Sequence, residues 1–470
     1  MKHTLVCDLD DCLIKTDLLY EQWLVLLKSN PLQFLKSILW LLKGKAYFKA
    51  QLAKHAPVVA KLLPYRISVL DLLRNAKAEG REVILASASP DLWVQEVANH
   101  LGIFNRSIGS TMEKNYKGQN KLAAIKEMIG SQKFAYVGDH DADLKIWTDA
   151  DEVIAVNPTN NLRAKIRRLE KPTQYIVDDK KSIFKLIIKQ MRPHQWIKNA
   201  LVFLPALAGH KIWNIDIVIN CLCAFAGFSL SASFVYIFND ILDLRSDRNH
   251  HTKKNRPFAS GNLSIKWGIL LLPTLLLGSF LFALPLPNEY LAWISGYLML
   301  NLAYSLYLKQ SVVVDIIILS MMYTLRIFAG SGATSIPVSE WLLSFATLFF
   351  FSLACVKRCT EIIRSKNKLT IDGRGYRQVD YPMIQSLGAG SGLIAILIIL
   401  LYLQSKDVRA LYTNPQHLWF ATPILLFWIS RIWILTNRDE MHDDPVVFAV
   451  KDKISWVCFA ILGLIGWIST

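Results

Sequence analysis

The chain has 470 residues, 53% of them apolar, and a formal net charge of +16. The apolar excess gathers after about residue 195, which excludes a wholly soluble protein and leaves room for more than one domain. The basic balance fits cytoplasmic Lys/Arg loops and anionic headgroups; with no zinc finger or aromatic–basic RNA-binding motif beside it, nucleic acid is not an expected partner.

Along the chain, short apolar runs at Thr4–Val6, Val83–Ala86, Phe134–Val137 and Val153–Val156 each end in a polar loop. Strands separated by helical stretches predict a parallel sheet with flanking helices. The first run is too short for a signal peptide and reads as a buried strand. Residues 20–50 place Leu35, Ile38, Leu39 and Leu42 at helical spacing, near Trp23 and Trp40. Lys28, Pro31, Gln33 and Lys36 interrupt that run, so it reads as a helical cap rather than a span, with a cap resting on the bilayer as the sharper reading. Residues 161–190, rich in Arg163, Lys165, Arg167, Arg168, Lys180 and Lys181, read as a basic linker and juxtamembrane helix.

Beyond that linker lie about nine candidate spans, near 197–214, 217–238, 267–287, 289–307, 311–330, 340–357, 386–404, 417–436 and 454–470. The connections 239–266, 307–311, 357–385 and 437–453 all carry Lys or Arg, whereas 405–416 carries only Lys406 and Arg409. The positive-inside rule therefore puts the first set, and the N-terminal domain, in the cytoplasm. Cysteines at 7, 12, 221, 223, 355, 359 and 458 show no metal-type spacing and no disulfide framework, which fits a reducing compartment.

The chemistry-bearing residues of the first part stand at strand ends, where ligands of parallel sheets bind. Asp8 and Asp10 can divide labour as nucleophile and acid/base, Ser87 can hold phosphate oxygens, and Lys121 can balance charge. Asp139 can complete a Mg²⁺ site with Asp8, and Lys117 rivals Lys121. This order of acid pair, hydroxyl, lysine and acid pair, with Ala86-Ser87-Ala88-Ser89-Pro90, resembles the haloacid dehalogenase superfamily of phosphohydrolases over about residues 4–158. The resemblance implies a domain at 1–160 with a helical cap at about 15–80. It also implies Asp8 as nucleophile, Asp10 as acid/base, Ser87 and Lys121 as phosphate ligands, and Asp8, Asp10, Asp139 and Asp143 around the metal.

In the second part Asn239, Asp240, Asp243 and Asp247 follow a span and precede a basic run through Lys254 and Arg256. Acids at offsets 0, 3 and 7 share one helix face and repel unless a cation joins them. Mg²⁺ holding a diphosphate suits such a site. The motif and span pattern resemble the UbiA-type superfamily of intramembrane prenyltransferases over about 190–470. The second aspartate-rich loop usual in that superfamily is replaced here by cations: Lys357, Arg358 with Glu361, Arg364 and Arg374 with Tyr376. Lys and Arg pair directly with phosphate oxygens. Tyr304, Lys309 and Asp315 add polar groups, and Arg326 lies inside a span, where an interior role is the default.

With Arg192 to Asn199, including Lys198, and Asp444 to Ala449 with Asp452, these details look most like the polyprenyl-phosphate phosphoribosyltransferase branch. The expected fold is an α/β domain followed by an all-α membrane domain at 191–470. The resemblance implies a bifunctional Mg²⁺-dependent enzyme of the bacterial cytoplasmic membrane, with both sites on the cytoplasmic face. It would move 5-phosphoribose from phosphoribosyl pyrophosphate to a polyprenyl phosphate, and the phosphatase domain would remove the 5-phosphate from the product. The alternative is prenyl transfer to an aromatic acceptor, with the phosphatase acting on diphosphate or another phosphoester. Oligomeric state stays open, a homo-oligomer included.

Overall fold

The computed structural model describes residues 3–179, 182–365, 374–406, 408, 412–441 and 444–470. Lys180, Lys181 and Arg409 lie outside these. The chain divides into two compact units, Met1–Gln190 with Ile237–Leu272 and Met191–Tyr236 with Pro273–Thr470.

The first unit is organised by six strands: β1 Thr4–Cys7, β2 Val83–Pro90, β3 Arg106–Ser110, β4 Phe134–Gly138, β5 Glu152–Val156 and β6 Thr173–Ile176. They form one parallel sheet in the order β3-β2-β1-β4-β5-β6. Leu5, Val6 and Cys7 of the central β1 are wholly buried, as a strand covered on both faces requires. Cys7 aligns with Leu85 of β2 and with Val137 of β4, so Asp8 and the residues just after Ala86 and Gly138 emerge along one edge.

Two strands were not anticipated. Arg106–Ser110 is polar and only partly buried, and Thr173–Ile176 is largely exposed, so neither carries a strong apolar pattern. The second corrects the linker expectation. Residues 152–176 pair β5 with β6, so part of the stretch read as linker completes the sheet, and the helix Ile183–Met191 follows it.

After β1 the chain makes a turn in which Asp10 is extended and Asp11 has φ 56°, then enters three helices, Leu18–Ser29, Pro31–Leu42 and Lys45–His55. Asp17 caps the first by accepting from Leu19 N at 3.1 Å, and Asn30 caps the second by accepting from Gln33 N at 3.0 Å, with Pro31 at its first position. Gly44, at φ 99°, makes the reversal into the third helix in a region other residues avoid. Trp23 stacks on Phe34 at 5.0 Å and donates from Nε1 to Ser37 at 2.8 Å, which locks the first two helices together. These three helices form the cap expected after the first motif.

Among the described residues six helices are long and apolar enough to cross a membrane: Ile215–Leu242, Ile265–Ala283, Val314–Thr334, Glu340–Arg364, Gln378–Leu403 and Pro415–Asn437. The expected nine is not reached. Residues 197–214 fall on short helical pieces, Lys453–Ser469 is a shorter apolar helix, and Asn288–Leu306 is a helix with polar Asn301 and Ser305 buried on it. In the second unit Gly330 marks a close crossing: a Cβ there would sit 2.0 Å from the Val202 carbonyl oxygen. Small residues at helix contacts are how apolar helices approach where lipid gives no hydrophobic drive.

Candidate active sites

The sheet edge gathers the first site. Asp8 Oδ1 accepts from Leu9 N at 2.8 Å, and its Oδ2 meets Lys121 Nζ at 2.9 Å. Lys121 rises from the helix Gln119–Ile129 and also donates to Tyr136 OH at 3.0 Å. Tyr136 in turn donates to Asp143 at 3.1 Å, and Asp143 accepts from the backbone N–H groups of Asp139 and His140 at 3.2 and 3.1 Å. One carboxylate oxygen from each of Asp8, Asp139 and Asp143 lies within 4.8 Å of the others. Burial raises the Asp8 carboxyl against the pull of Lys121, and burial followed by Asp143 and Asp8 raises Asp139 well above the usual carboxylate range. Three oxygen donors that repel when charged fit a hard divalent cation of the Mg²⁺ type.

Asp10 faces the other way. Its Oδ2 accepts from Ser89 Oγ at 2.6 Å and Ser87 Oγ at 3.2 Å, and its Oδ1 from Leu18 N at 2.9 Å. The pairing of β2 with β3 is irregular between Ala86 and Pro90, which frees these two hydroxyls from regular alternation. Burial, then the neighbouring Asp17, lifts the Asp10 carboxyl to about 7, a value suited to giving and taking a proton near neutrality. A cavity of 510 Å³ opens here, with Asp8, Asp10, Ser87, Lys49 and Lys117 on its polar side and Trp23, Leu41 and Phe48 of the cap on its apolar side.

The acidic motif after the long helix also belongs to the first unit. Asp240 and Asp247 are both buried, and one guanidinium nitrogen of Arg256 bridges them at 2.9 and 2.6 Å. Gln190 donates to the other Asp240 oxygen at 2.5 Å. Asn239 Oδ1 is buried beside them without a hydrogen-bond partner. Asp243 pairs with Lys28 of the cap at 2.6 Å. Two buried carboxylates and an amide oxygen unpartnered among the described residues are donors of the kind Mg²⁺ takes, and Arg256 neutralises the two acids.

In the second unit Asp444 caps the helix Pro445–Lys451, accepting from Val446 N at 3.2 Å. Two lysines share its Oδ2, Lys198 at 2.7 Å and Lys357 at 3.2 Å, and Tyr323 OH donates to Oδ1 at 3.0 Å. Burial opposes ionisation of Asp444, yet the two lysines outweigh it and hold the carboxyl well below its ordinary range. Nearby in the chain's cation-rich half, Arg326 donates to Asn199 at 2.9 Å and lies over the rings of Phe228, Tyr297 and Tyr323. A second cluster joins Arg358, Asp315, Glu361, Arg374 and Tyr304. Arg358 and Asp315 are fully buried and paired, Arg358 also meets Glu361, and Arg374 reaches Tyr304 OH at 2.6 Å and Asp315 at 3.0 Å.

Residues 200–457, more than half of the chain, match the family described as UbiA prenyltransferase. The chain belongs to the UbiA prenyltransferase family. Residues 5–147 match the haloacid dehalogenase-like hydrolase family. The chain is 37% identical over 464 residues to the uncharacterised protein y4nM of Sinorhizobium fredii, covering 98% of this chain and 90% of that one. It is 30% identical over 296 residues to a decaprenyl-phosphate phosphoribosyltransferase of Mycobacterium tuberculosis, covering 60% of this chain and 92% of that one. A UbiA homologue from Archaeoglobus fulgidus bound to GPP and Mg²⁺ aligns with a TM-score of 0.46 at 14% identity, over 60% of this chain and 99% of that one. With its six apolar helices, this is an integral membrane protein that joins a UbiA transferase domain to a hydrolase domain.

Most residues singled out in the hydrolase domain come together. Lys121 rather than Lys117 pairs with Asp8, while Lys117 lines the cavity. Ser89 and Lys49 were missed. Lys49 lies on the third cap helix and donates to the Ala88 carbonyl at 2.6 Å, a placement that local spacing cannot reveal. In the UbiA domain Asp444 was noted only as part of a longer motif, yet it organises the lysine pair. Arg256, expected on a phosphate, is held by Asp240 and Asp247. Arg358 and Glu361, also expected on substrate, are committed to internal ion pairs, because a guanidinium with no exposure needs its counter-charges inside the protein. Tyr376 is fully buried and accepts from Val313 N at 3.0 Å, which supports a residue held at φ 67°. Lys254 is exposed, and Lys309 is half-buried.

Proposed function

We propose that the UbiA domain transfers 5-phosphoribose from phosphoribosyl pyrophosphate to a polyprenyl phosphate, and that the hydrolase domain removes the 5-phosphate from the lipid-linked product. The observation that carries this reading is the pair of lysines, buried Lys198 and half-buried Lys357, on a single buried carboxylate, Asp444, in the half where a second acidic motif would serve prenyl transfer to an aromatic ring. Two lysines against one acid leave a net positive site, which suits a second anionic substrate. The 30% identity to a decaprenyl-phosphate phosphoribosyltransferase supports the same substrates.

In the transfer, an oxygen of the lipid phosphate bonds to C1 of the ribose while the C1–oxygen bond to diphosphate breaks. Asp240 and Asp247, with Asn239 and Asp243, are the residues that would hold Mg²⁺, and the ion when bound supplies charge compensation to the departing diphosphate. Arg256, which bridges Asp240 and Asp247 through one guanidinium nitrogen, holds the two acids side by side. Lys198 and Lys357 on Asp444 form a cationic pair suited to a substrate phosphate. Arg358, Arg374, Glu361 and Tyr304 are tied to one another and to Asp315, and Arg326 is tied to Asn199.

In the hydrolase domain, Asp8 Oδ2 attacks phosphorus and forms an aspartyl-phosphate as the bond to the sugar oxygen breaks. Asp10 gives its proton to that oxygen, then takes one from the water that attacks the aspartyl-phosphate, releasing inorganic phosphate and restoring Asp8. Ser87 and Lys121 hold the phosphoryl oxygens, and Asp8, Asp139 and Asp143 are the residues that would hold Mg²⁺. Both assignments place the protein in the bacterial cytoplasmic membrane with its sites toward the cytoplasm, as the Lys/Arg distribution supports.

The test uses membranes holding the full chain, labelled phosphoribosyl pyrophosphate and polyprenyl phosphate. Lipid-extractable label is expected, and it should carry no 5-phosphate. Extraction of label only from a prenyl diphosphate and an aromatic acceptor would replace this reading with prenyl transfer.

A further inference from the structure

The second cap helix, Pro31–Leu42, is apolar on both faces. Its inner face is accounted for: Phe34 stacks on Trp23, Ser37 is fully buried, and Trp40 stacks on His55 at 5.4 Å. Its outer face is not. Leu32, Leu35, Leu39 and Leu42 recur at helical spacing and stand 73, 61, 61 and 83% exposed, the arrangement of a helix with a second apolar surface to cover. Exposed lysines accompany this face, Lys36 along it and Lys43, over the Tyr47 ring, just past its end, while Lys45 beyond them lines the phosphatase cavity. Long amines that reach outward from an apolar stripe suit anionic headgroups, with the stems lying on the acyl boundary. A second protein surface has nothing equivalent to match here, whereas a bilayer is already required by the chain's apolar helices.

The same helix opens on the phosphatase cavity. Leu41, near its end, and Trp23, behind it, line that cavity opposite Asp8 and Asp10. The helix that carries the exposed leucines therefore also supplies, through Leu41, part of the wall of the cavity that holds Asp8 and Asp10.

The geometry points to Pro31–Leu42 as an interfacial helix that lies in the headgroup layer and feeds the phosphatase cavity with a phosphomonoester borne by a membrane amphiphile. This rests on the reading that Asp8 attacks a phosphomonoester, but the placement of the helix can fail or stand apart from it.

The test uses the full chain in vesicles of phosphatidylcholine and phosphatidylglycerol, with a nitroxide on Leu35→Cys or Leu39→Cys and a reference label on Lys61→Cys, an exposed cap position away from this face. The labels at 35 and 39 are expected to be relaxed by oxygen more than by a water-soluble nickel complex, and the label at 61 the reverse. Water-like relaxation at both test positions would overturn the placement. Broadening that vanishes on dilution with unlabelled protein would overturn it too, since the face would then cover a second copy. In a paired experiment, Leu35→Glu with Leu39→Glu should lower hydrolysis of a lipid-borne phosphomonoester by about tenfold, roughly the cost of withdrawing one leucine from an apolar phase, while p-nitrophenyl phosphate is hydrolysed as before. Equal rates on the lipid substrate would refute feeding from the bilayer. Absence of any lipid hydrolysis in the unsubstituted chain, with oxygen-dominated labels, would remove the phosphatase assignment and leave the interfacial helix in place.

Discussion

At the scale of single residues, the two halves treat buried charge in opposite ways. In the hydrolase domain burial, then the neighbouring Asp17, lifts the Asp10 carboxyl to about 7 against the pull of the Ser89 hydroxyl. Asp10→Asn should lower the rate on p-nitrophenyl phosphate by about a hundred- to ten-thousandfold, the usual worth of a general acid–base group. Ser89→Ala removes only the hydroxyl 2.6 Å from Asp10, and a loss of roughly tenfold is expected from one hydrogen bond to a charged group. Steady-state rates of the two variants side by side check the ordering. In the UbiA domain, Arg358 and Asp315 have no exposure, and removing one partner strands the other charge. Arg358→Met should cost about 3–5 kcal/mol of stability, read as a lower thermal midpoint in detergent. Lys357→Ala, at a half-buried lysine, should instead raise KM for an anionic substrate while leaving that midpoint nearly unchanged, and Lys198→Ala should raise KM and also lower the midpoint, since it removes a buried charge beside buried Asp444. A raised KM without lost stability for Arg358→Met would make that arginine a substrate ligand after all.

At the scale of elements, the first cap helix is bound to the segment that carries the last acid of the membrane motif. Glu21 is buried and accepts from both Arg248 guanidinium nitrogens at 2.7 and 2.9 Å, Gln22 accepts from Arg245 at 2.7 Å, and Lys28 pairs with Asp243. The short helix Leu244–Asn249 thus hangs on Leu18–Ser29 through side chains more than two hundred residues away in the chain. Glu21→Ala leaves Arg248 buried without its counter-charge, and limited proteolysis should then cut within 244–256 well before the rest of the chain; an unchanged digestion pattern would mean that the clamp is dispensable. This kind of pairing explains what the sequence could and could not disclose. Asp8, Ser87 and Asp139 could be brought to one edge because a parallel sheet forces its chemistry to the ends of apolar runs, and those runs are plain, whereas Lys121, on the helix Gln119–Ile129, was reached only through the order of the motifs. Ser89 was not, because the irregular end of β2 puts it beside Asp10 only in three dimensions. Lys49 comes from a cap whose helices can be read but whose facing cannot. Arg256 looked like a phosphate ligand because a basic residue after an acidic motif has two destinies, and only the fold of 243–256 turns it back onto Asp240 and Asp247. Arg358 sat in a run of cations, and nothing local says that Asp315, 43 residues earlier, neutralises it. The spans were visible as apolar runs, but their count was not, since length and burial of polar side chains decide it.

At the scale of the whole molecule, one chain carries a transferase of the membrane and a hydrolase whose proposed substrate is that transferase's product. The proposed intermediate is a lipid, which would diffuse within one bilayer and not cross to another. Two variants separate what fusion adds from what the membrane adds. Asp240→Asn should abolish transfer, and Asp8→Asn should let 5-phosphorylated lipid accumulate. Placed in separate vesicles and mixed, the two should release no phosphate from the product, because the lipid formed by one never reaches the other. Placed in the same vesicles they should restore phosphate release after a lag, while the unsubstituted chain should show a much shorter one, since tethering raises the effective concentration of the second site around the first. Chelation of divalent ions should stop both steps, and Mg²⁺ should restore them, because Asp8, Asp139 and Asp143 bring carboxylate oxygens within 4.8 Å of one another and Asp240 and Asp247 lie against one guanidinium nitrogen. Equal lags for the co-reconstituted pair and the unsubstituted chain, measured by time-resolved release of labelled phosphate, would show that confinement to the bilayer is enough and that covalent linkage serves expression or placement instead.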